Sequence, residues 1–284
     1  MIIIDYSGIA MAPVVMGQAR YDDENLLRHM ILNSIRMYRQ KFKKYGEVVI
    51  VADAGGNWRK DIYPEYKFKR KANREKSKID WDEAFRIISM VRDELKENFP
   101  YKVIHEWGCE ADDVIAELVH YTQEFGNHEE VMIVSADHDF IQLQRYDNVK
   151  QYSPNTKKFV KSDDPQQYRL EHFLKGCSGD GVPNVLSDDD TFAVEGKRQN
   201  VLSKKKKEAL LNDPQSLGEQ VYRNYQRNKK MIDLIDTACP QSVRSSIINN
   251  FESQNKRENR GKVFPYLVSK NCRLLLENVQ EFLN

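Results

Sequence analysis

The sequence predicts an α/β protein whose mostly parallel sheet carries helices on both faces and is followed by a helical segment. Short apolar runs of strand length alternate with amphipathic helical patterns over the first half of the chain. The strand-like runs stop near residue 165, and only helical patterns follow. With 284 residues, the chain is long enough for one core domain and a smaller second one.

Apolar runs identify the strands, and caps with helical spacing identify the helices. The predicted strands are Met1–Ile4, Val48–Ala52, Lys102–Trp107 and Val131–Ser135, with a hairpin of Gln151–Ser153 and Phe159–Lys161. The predicted helices before residue 165 run from Asp22 or Asp23 to Gly46, from Asp80 onward, from Glu110 to Phe125 and over Phe140–Leu143. Those after it cover Gln166–Leu174, Lys204–Leu211, Gln220–Ile235, Ser242–Glu252 and Asn271–Phe282.

Composition excludes several classes of protein. The first five residues lack a basic region before their apolar run, which is not the pattern of a signal peptide. Apolar stretches fall short of the roughly 18 residues of a membrane span. The four cysteines form no CxxC pair, which favours a reduced, cytoplasmic protein without a zinc site. The net charge of +1 indicates nothing about partners by itself.

Carboxylates follow four of the predicted strands. They are Asp5, Asp53, Glu110 with Asp112, and Asp137 with Asp139. Because the carboxyl ends of parallel strands meet at one edge of a sheet, these acids are expected to converge there. Acids at strand ends are often only helix caps or turn formers. Four consecutive strands make that simpler interpretation less attractive.

Converging carboxylates repel one another and need cations or protons between them. Oxygen ligands favour Mg²⁺ or Mn²⁺, and two such ions can promote an in-line phosphoryl displacement. Asp137 and Asp139 share a face if the chain is extended there. Glu110 and Asp112 converge only if Glu110 precedes its helix; otherwise Glu110 shares a face with Asp113.

A basic and aromatic segment follows Asp53. From Arg59 to Lys78 there are nine basic and three acidic residues. Lys67, Arg70 and Arg74 have the spacing of one helical stripe. A solvated loop is the alternative, but the position of the segment beside the acids favours binding of a polyanion such as nucleic acid. A second basic run, Lys197–Lys207, has six basic residues and no acid.

Several blocks together resemble the flap endonuclease (5′-nuclease) family, most closely its phage ribonuclease H members of T-even type. The blocks are Asp5, Asp53 followed by Trp58-Arg59, Glu65–Arg70, Glu110–Asp113 and Ser135–Phe140. The resemblance runs from Met1 to about Val185 and more weakly beyond. It implies a PIN-like catalytic domain over residues 1–165 with a basic arch at about 55–80. It also implies a helical DNA-binding domain over 166–284 with a helix–three-turn–helix.

The resemblance also assigns roles to individual residues. Ligands of the first metal would be Asp5, Asp53, Glu110, Asp112 and Asp137. Asp139 and Asp180 would serve the second metal, with Asp113 in the outer shell. On the arch, Tyr66, Lys67 and Arg70 would be catalytic, with Lys67 and Arg70 touching the scissile phosphate. The residues expected to bind nucleic acid are Arg59, Lys71, Arg74, Gly181, Lys204 and Lys205.

The implied activities are 5′→3′ exonuclease and flap endonuclease with two Mg²⁺ ions, for which Mn²⁺ would substitute. Expected substrates are 5′-ended duplex, flap or forked DNA and RNA–DNA hybrids, including RNA primers of the lagging strand. The family setting suggests a single-strand-binding protein or a sliding clamp as partner. A monomer without membrane contact, in the host cytoplasm if encoded by a phage, is expected.

One position departs from the family pattern. Where the pattern has the first acid of a Gly-Asp-x-x-Asp block, this chain has Cys177, and Asp180 keeps the second acid. Since Mg²⁺ binds thiolate poorly, no metal binding is assigned to Cys177. This departure keeps open a non-catalytic module that binds branched DNA. A PIN-type ribonuclease acting on single-stranded RNA is a further alternative.

Overall fold

A six-stranded sheet forms the centre of the protein in a computed structural model that describes residues 1–123 and 127–283. The strands are β1 Ile2–Asp5, β2 Val48–Ala52, β3 Lys102–His105, β4 Val131–Val134, β5 Val149–Ser153 and β6 Lys158–Val160. Their order is β3-β2-β1-β4-β5-β6. Neighbours from β3 to β5 pair in parallel, and β6 pairs antiparallel with β5 as the predicted hairpin requires.

The helices connect the strands and then continue alone after β6. Before the sheet ends they are α1 Tyr6–Val15, α2 Glu24–Lys41, α3 Trp58–Ile62, α4 Lys69–Glu75, α5 Trp81–Asn98 and α6 Ala111–Gln123. After it come α7 Pro165–Lys175, α8 Lys204–Asn212, α9 Glu219–Ile232, α10 Gln241–Ser253, α11 Val263–Ser269 and α12 Arg273–Leu276. Asp23 and Asp80 cap α2 and α5 by accepting backbone N–H groups, as predicted. The predicted end of α6 at Phe125 lies outside the described residues.

Side chains from the two faces of the sheet enter two hydrophobic cores. Ile3, Val49 and Val51 belong to one core, which helices α6, α7 and α9 cover. Ile2 and Ile4 belong to the other, which α1, α2 and α5 cover together with α11. The predicted fold class, a mostly parallel sheet with helices on both faces and a helical continuation, is confirmed. The domain boundary at residue 165 stays a prediction, since later helices contribute to both cores.

Some local predictions are wrong. Helix α1 was not predicted, because it is almost uniformly apolar and shows no amphipathic period. The third strand ends at His105, before Trp107. The predicted helix Asn271–Phe282 is instead α12 and the 3₁₀ helix Val279–Phe282, and Asn271 has a positive φ of 53° that is incompatible with a helix. Helix α11 was missed.

The basic stripe is also only partly helical. Lys67 has a φ of 57° and lies before α4, which begins at Lys69, so Lys67 does not continue the helical face of Arg70 and Arg74. In the described residues, no helix combines the length and apolar character needed to cross a bilayer.

Candidate active site at the carboxyl ends of the strands

The carboxyl ends of the parallel strands open into a cleft of about 890 Å³. Five of the predicted metal ligands line it: Asp5, Asp53, Glu110, Asp112 and Asp137. Helix α6 begins at Ala111, so Glu110 lies just before it and can face the cleft together with Asp112. The structure therefore brings together acids that are far apart in the sequence.

Serine hydroxyls and backbone amides orient two of these carboxylates. Ser7 Oγ donates to Asp53 Oδ2 (2.7 Å), and the Ala111 amide donates to Asp53 Oδ1 (2.9 Å). Ser135 Oγ donates to Asp5 Oδ2 (2.7 Å). Neither serine was selected from the sequence, although each lies two residues from a predicted ligand. These bonds fix the carboxylate planes that face the cleft.

Burial and mutual repulsion disfavour full ionisation of the cluster. Burial raises the pKa of Asp5 to about 6, and the neighbouring charges of Asp53 and Asp137 act in the same direction. Burial and the Asp137 charge also raise the pKa of Asp112 well above its ordinary value. The cleft therefore calls for protons or cations to balance its charge.

The basic segment supplies part of that balance. The Lys67 ammonium pairs with Glu110 and lies 3.7 Å from Asp180, while Arg70 Nη2 lies 2.7 Å from Asp180. The Tyr66 hydroxyl donates to Glu110 Oε2 (2.7 Å) and lies 3.3 Å from Asp180 Oδ2. Burial opposes ionisation of Glu110, but Lys67 and Arg59 outweigh it, so the pKa of Glu110 is lowered.

The backbone joins the same two segments. The Lys67 amide donates to the Asp180 carbonyl at 2.8 Å. This hydrogen bond, which we call the clasp, joins the basic segment to the loop that follows α7. The Tyr63 hydroxyl adds a bond to the carbonyl of Gly181 (3.1 Å). An added Cβ at Gly181 would come within 3.0 Å of the Glu65 carbonyl oxygen, so the closeness of the two segments requires glycine there.

A second acidic group lies around Asp139 and Asp180. Burial and the charges of Asp137 and Asp180 raise the pKa of Asp139 well above its ordinary value. His172 Nε2 lies 3.2 Å from Asp139 Oδ1. Burial raises the pKa of the Cys177 thiol to about 12, and the charges of Asp180 and Asp139 contribute. Cys177 is therefore a neutral thiol beside these acids.

The expectation of an extended chain at Asp137 and Asp139 is wrong, although the two residues are neighbours. Asp137 caps the 3₁₀ helix His138–Arg145 and accepts the Asp139 amide through Oδ1 (2.9 Å). A turn, and not an extended strand, therefore brings the side chains together.

The prediction that Arg59 binds nucleic acid is wrong. Its side chain is 2% exposed and donates two bonds to Asp113 (2.7 and 2.8 Å) and one to the Met231 carbonyl (2.9 Å). Asp113 also accepts the Glu110 amide (3.0 Å). Asp113 thus faces the buried guanidinium and holds the backbone of Glu110, a position outside the cleft lining.

Comparison with known proteins identifies the family of the chain. The model of the 5′-3′ exonuclease N-terminal, resolvase-like domain matches residues 18–172, and that of the T4 RNase H C-terminal region matches residues 165–282. Ribonuclease H of Enterobacteria phage T4 is 35% identical over 294 residues, which cover 99% of this chain and 95% of the relative. The chain belongs to the 5′-3′ exonuclease family. Flap endonuclease Xni of Shewanella denitrificans is 30% identical over 177 residues, covering 59% of this chain and 66% of that enzyme.

Solved structures of this family share the fold. The T5 D15 protein co-crystallised with metal ions has a TM-score of 0.64 at 17% identity and covers 88% of this chain and 98% of its own. The bacteriophage T5 flap endonuclease in a complex with DNA and metal ions has a TM-score of 0.64 at 16% identity, with coverages of 89% and 99%. The predicted PIN-like architecture and the predicted family are confirmed.

As a member of this family, the protein is a metal-dependent 5′-nuclease that hydrolyses phosphodiester bonds. The cleft fits a hard divalent cation, because its donors are carboxylate oxygens, and burial together with neighbouring negative charge raises the pKa of Asp5 and of Asp112. Within residues 1–123 and 127–283, however, no three His, Cys, Asp or Glu side chains already form a coordinating group. In this structure Asp5 and Asp53 accept from serines, and Glu110 pairs with Lys67.

The remaining residues predicted to bind nucleic acid are on the surface. Lys71 and Arg74 are exposed on α4 and line the same cleft as the acids. Lys204 and Lys205 are exposed at the start of α8. The acids Asp188–Asp190 pair with cations such as Lys197 and Arg223.

Proposed function

We propose that this protein is a Mg²⁺-dependent 5′→3′ exonuclease and flap endonuclease acting on duplex DNA and RNA–DNA hybrids, which removes RNA primers during lagging-strand replication. One observation carries the proposal: acids from four parallel strands share a single cleft with the cations of the basic segment. A phosphodiester needs both signs of charge, cations for its oxygens and acids to hold metal ions.

Two metal positions are proposed. Asp5, Asp53, Glu110, Asp112 and Asp137 would hold the first ion, and Asp139 with Asp180 the second. Bound there, divalent cations would supply a water of lowered pKa and balance the charge that develops on the phosphate. Asp113 would act from outside, because it binds the Glu110 amide.

The cationic side chains of the protein would then bind the phosphate of the substrate. Lys67 and Arg70 pair with Glu110 and Asp180 in the structure, so a phosphate entering the cleft competes with these carboxylates for them. Tyr66, which the resemblance assigns as catalytic, is buried, and its hydroxyl donates to Glu110 and lies 3.3 Å from Asp180, so we propose that it positions these carboxylates. We propose that Lys67 and Arg70 contact the scissile phosphate.

The DNA would extend from the cleft in both directions. Lys71 and Arg74 would bind phosphates on the arch side, while Lys204, Lys205 and the backbone at Gly181 would bind the duplex. These contacts are independent of sequence, as suits an enzyme that recognises a 5′ end or a junction.

The biological setting is proposed from the phage T4 relative. The protein would act as a monomer in the cytoplasm of an infected host, on the 5′ ends of lagging-strand fragments. A single-strand-binding protein or a sliding clamp would be its replication partner.

The deciding experiment compares 5′-flap DNA, a 5′-RNA–DNA hybrid, blunt duplex and single-stranded RNA as substrates in Mg²⁺, in Mn²⁺ and in EDTA. Cleavage of the first two with either metal, and none in EDTA, is expected. Flap binding without cleavage in either metal would instead indicate a branched-DNA-binding module. Preferential cleavage of single-stranded RNA would indicate a PIN-type ribonuclease.

A further inference from the structure

Trp107 is a large aromatic side chain exposed to solvent beside the cleft. Its relative exposure is 73%, whereas Trp58, the first residue of α3, is buried at 6%. Trp107 follows β3, three positions before Glu110. Exposing an indole to water has a free-energy cost. An exposed indole that the protein nevertheless holds in one place therefore suggests that a ligand binds to it.

Two glycines form a cradle for the indole. A Cβ added at Gly55 would come 1.9 Å from Cζ3 of the Trp107 ring, and one at Gly56 would come 3.0 Å from Nε1. Only residues without side chains allow the ring to lie this close to the backbone. One face of the ring is thus covered by peptide, and the exposed remainder is available for stacking.

The segment that carries Trp107 is fixed on both sides. The Gly108 amide donates to the Gly55 carbonyl (2.9 Å), and the Trp58 amide donates to the Gly108 carbonyl (3.2 Å). On the other side, Glu106 accepts from Ser246 Oγ (2.6 Å) and from Asn250 Nδ2 (3.0 Å) of α10. The indole is therefore held before any ligand arrives, which lowers the entropy lost on binding.

The cradle adjoins the catalytic cleft. Gly56, Asn57 and Lys60 line that cleft together with Asp53, and Lys60 is exposed. The ring lies against the backbone of Gly55 and Gly56, which have no side chains to extend it into the contiguous apolar patch that a protein partner would need. A flat ring beside a cation suits a nucleobase and its phosphate instead.

We propose that Trp107 is a stacking platform for one unpaired base of the DNA substrate, at the rim of the cleft. This inference rests on the proposed function, because it requires DNA in the cleft. Stacking would orient the displaced strand and add affinity, while the acids and Lys67 perform the chemistry.

The test combines Trp107→Ala with a scan of single abasic nucleotides along a 5′-flap substrate. For the parent protein, an abasic nucleotide at one position should lower kcat/KM about tenfold. In Trp107→Ala, kcat/KM on the intact flap should fall by about the same factor, mainly through KM, and the abasic nucleotide should have less than about a twofold further effect. Trp107→Phe should recover most of the loss.

Leu274→Ala is the matched control, since Leu274 is also exposed (67%) but lies on α12. Thermal unfolding of each variant verifies that it folds. If Trp107→Ala cleaves the intact flap like the parent, or if every abasic position affects both proteins equally, the platform does not exist. The proposed function would stand in that case, whereas a parent protein that cuts no flap would reject the function itself.

Discussion

Two groups of buried charge differ in how they are balanced. Between α2 and α5, Arg28 binds Glu94 (2.8 Å), which also accepts from Tyr266 (2.7 Å) and Lys270 (2.7 Å). The ends of the strands instead hold a cluster of five acids, and the cations Lys67 and Arg70 pair only with Glu110 and with Asp180 beside it. The charges of the first group are neutralised by partners within the protein, whereas those of the second group are not.

The pKa values show the same contrast. Burial opposes ionisation of Glu94, but the bonds from Arg28, Lys270 and Tyr266 outweigh it, so its pKa is lowered. Burial raises the pKa of Asp5 to about 6, and the hydrogen bonds from Ser135 and the Gly8 amide offset only part of that effect. Buried charge that satisfies itself stabilises a fold, whereas buried charge left unbalanced indicates a site for ligands.

The largest expected effect is on the unbalanced group. Asp137→Asn should lower kcat at least about a thousandfold in Mg²⁺, because it removes the charge of a proposed metal ligand. Asparagine can still cap the 3₁₀ helix, so folding and flap affinity should persist. Single-turnover cleavage and equilibrium binding of a labelled flap measure the two quantities. Asp147→Asn, at an exposed position outside the cleft, is the control, and parental rates in both variants would refute the metal assignment.

Glu94→Ala should act on the balanced group in the opposite way. It leaves buried Arg28 without its main partner and should lower the free energy of unfolding by about 3 kcal/mol, with little change in kcat. Urea unfolding gives this value, and Glu97→Ala, exposed on the same helix, should change it little. A cleavage defect without a stability defect would contradict the distinction between the groups.

The Arg28–Glu94 pair also predicts that the free energy of unfolding depends on pH. Because the folded-state pKa of Glu94 is lowered from its ordinary 4.5, the stabilisation is complete above that pH and is lost as pH falls below it. The stability difference between parent and Glu94→Ala, measured by urea unfolding at several pH values, should therefore shrink on acidification.

Lys67→Ala should have the next largest effect on catalysis. Loss of its proposed contact with the scissile phosphate should lower kcat about a hundredfold, with a smaller loss of duplex affinity. Lys71→Ala, four residues further on the exposed side of α4, should mainly weaken binding. Equal losses of rate and affinity in Lys67→Ala would make Lys67 only a positioning contact.

The smallest expected effect is stabilisation by metal. At ten times its Kd, Mg²⁺ should raise the free energy of unfolding by about 1.4 kcal/mol, because it binds the folded cleft. Asp112→Asn should reduce the gain, and Glu94→Ala should preserve it. Thermal unfolding in EDTA and in increasing Mg²⁺ provides the comparison, and equal gains in all three proteins would indicate binding elsewhere.

The parts of the fold that could be predicted were those encoded by local pattern. The strand Val48–Ala52 is apolar throughout and matches β2 residue for residue. Asp23 and Asp80 cap the helices after them because capping is a local interaction. Helix α1 could not be recognised, since Asp5 both ends a strand and caps the helix, and the helix has no polar face to mark it.

Within the candidate site, the sequence was enough to predict where the acidic side chains converge, but not which side chains pair with one another. The convergence of acids could be inferred from the parallel strands, which apolar runs reveal. Arg59 looked like part of a basic surface, and only folding shows that Asp113, 54 positions away, buries it. Trp107 was assigned to a strand for a similar reason, since its cradle at Gly55 and Gly56 is distant in sequence.

The clasp between the Lys67 amide and the Asp180 carbonyl separates the choice of nucleic-acid substrate from the positioning of the groups proposed to act on the phosphodiester. The part of the arch beyond Arg70 could lengthen, shorten or change composition while the clasp and the Arg70–Asp180 pair stay in place. Variation there would alter which nucleic-acid ends gain entry without displacing the groups that break the bond. Substrate range can therefore be engineered, and can diverge, independently of the chemical step.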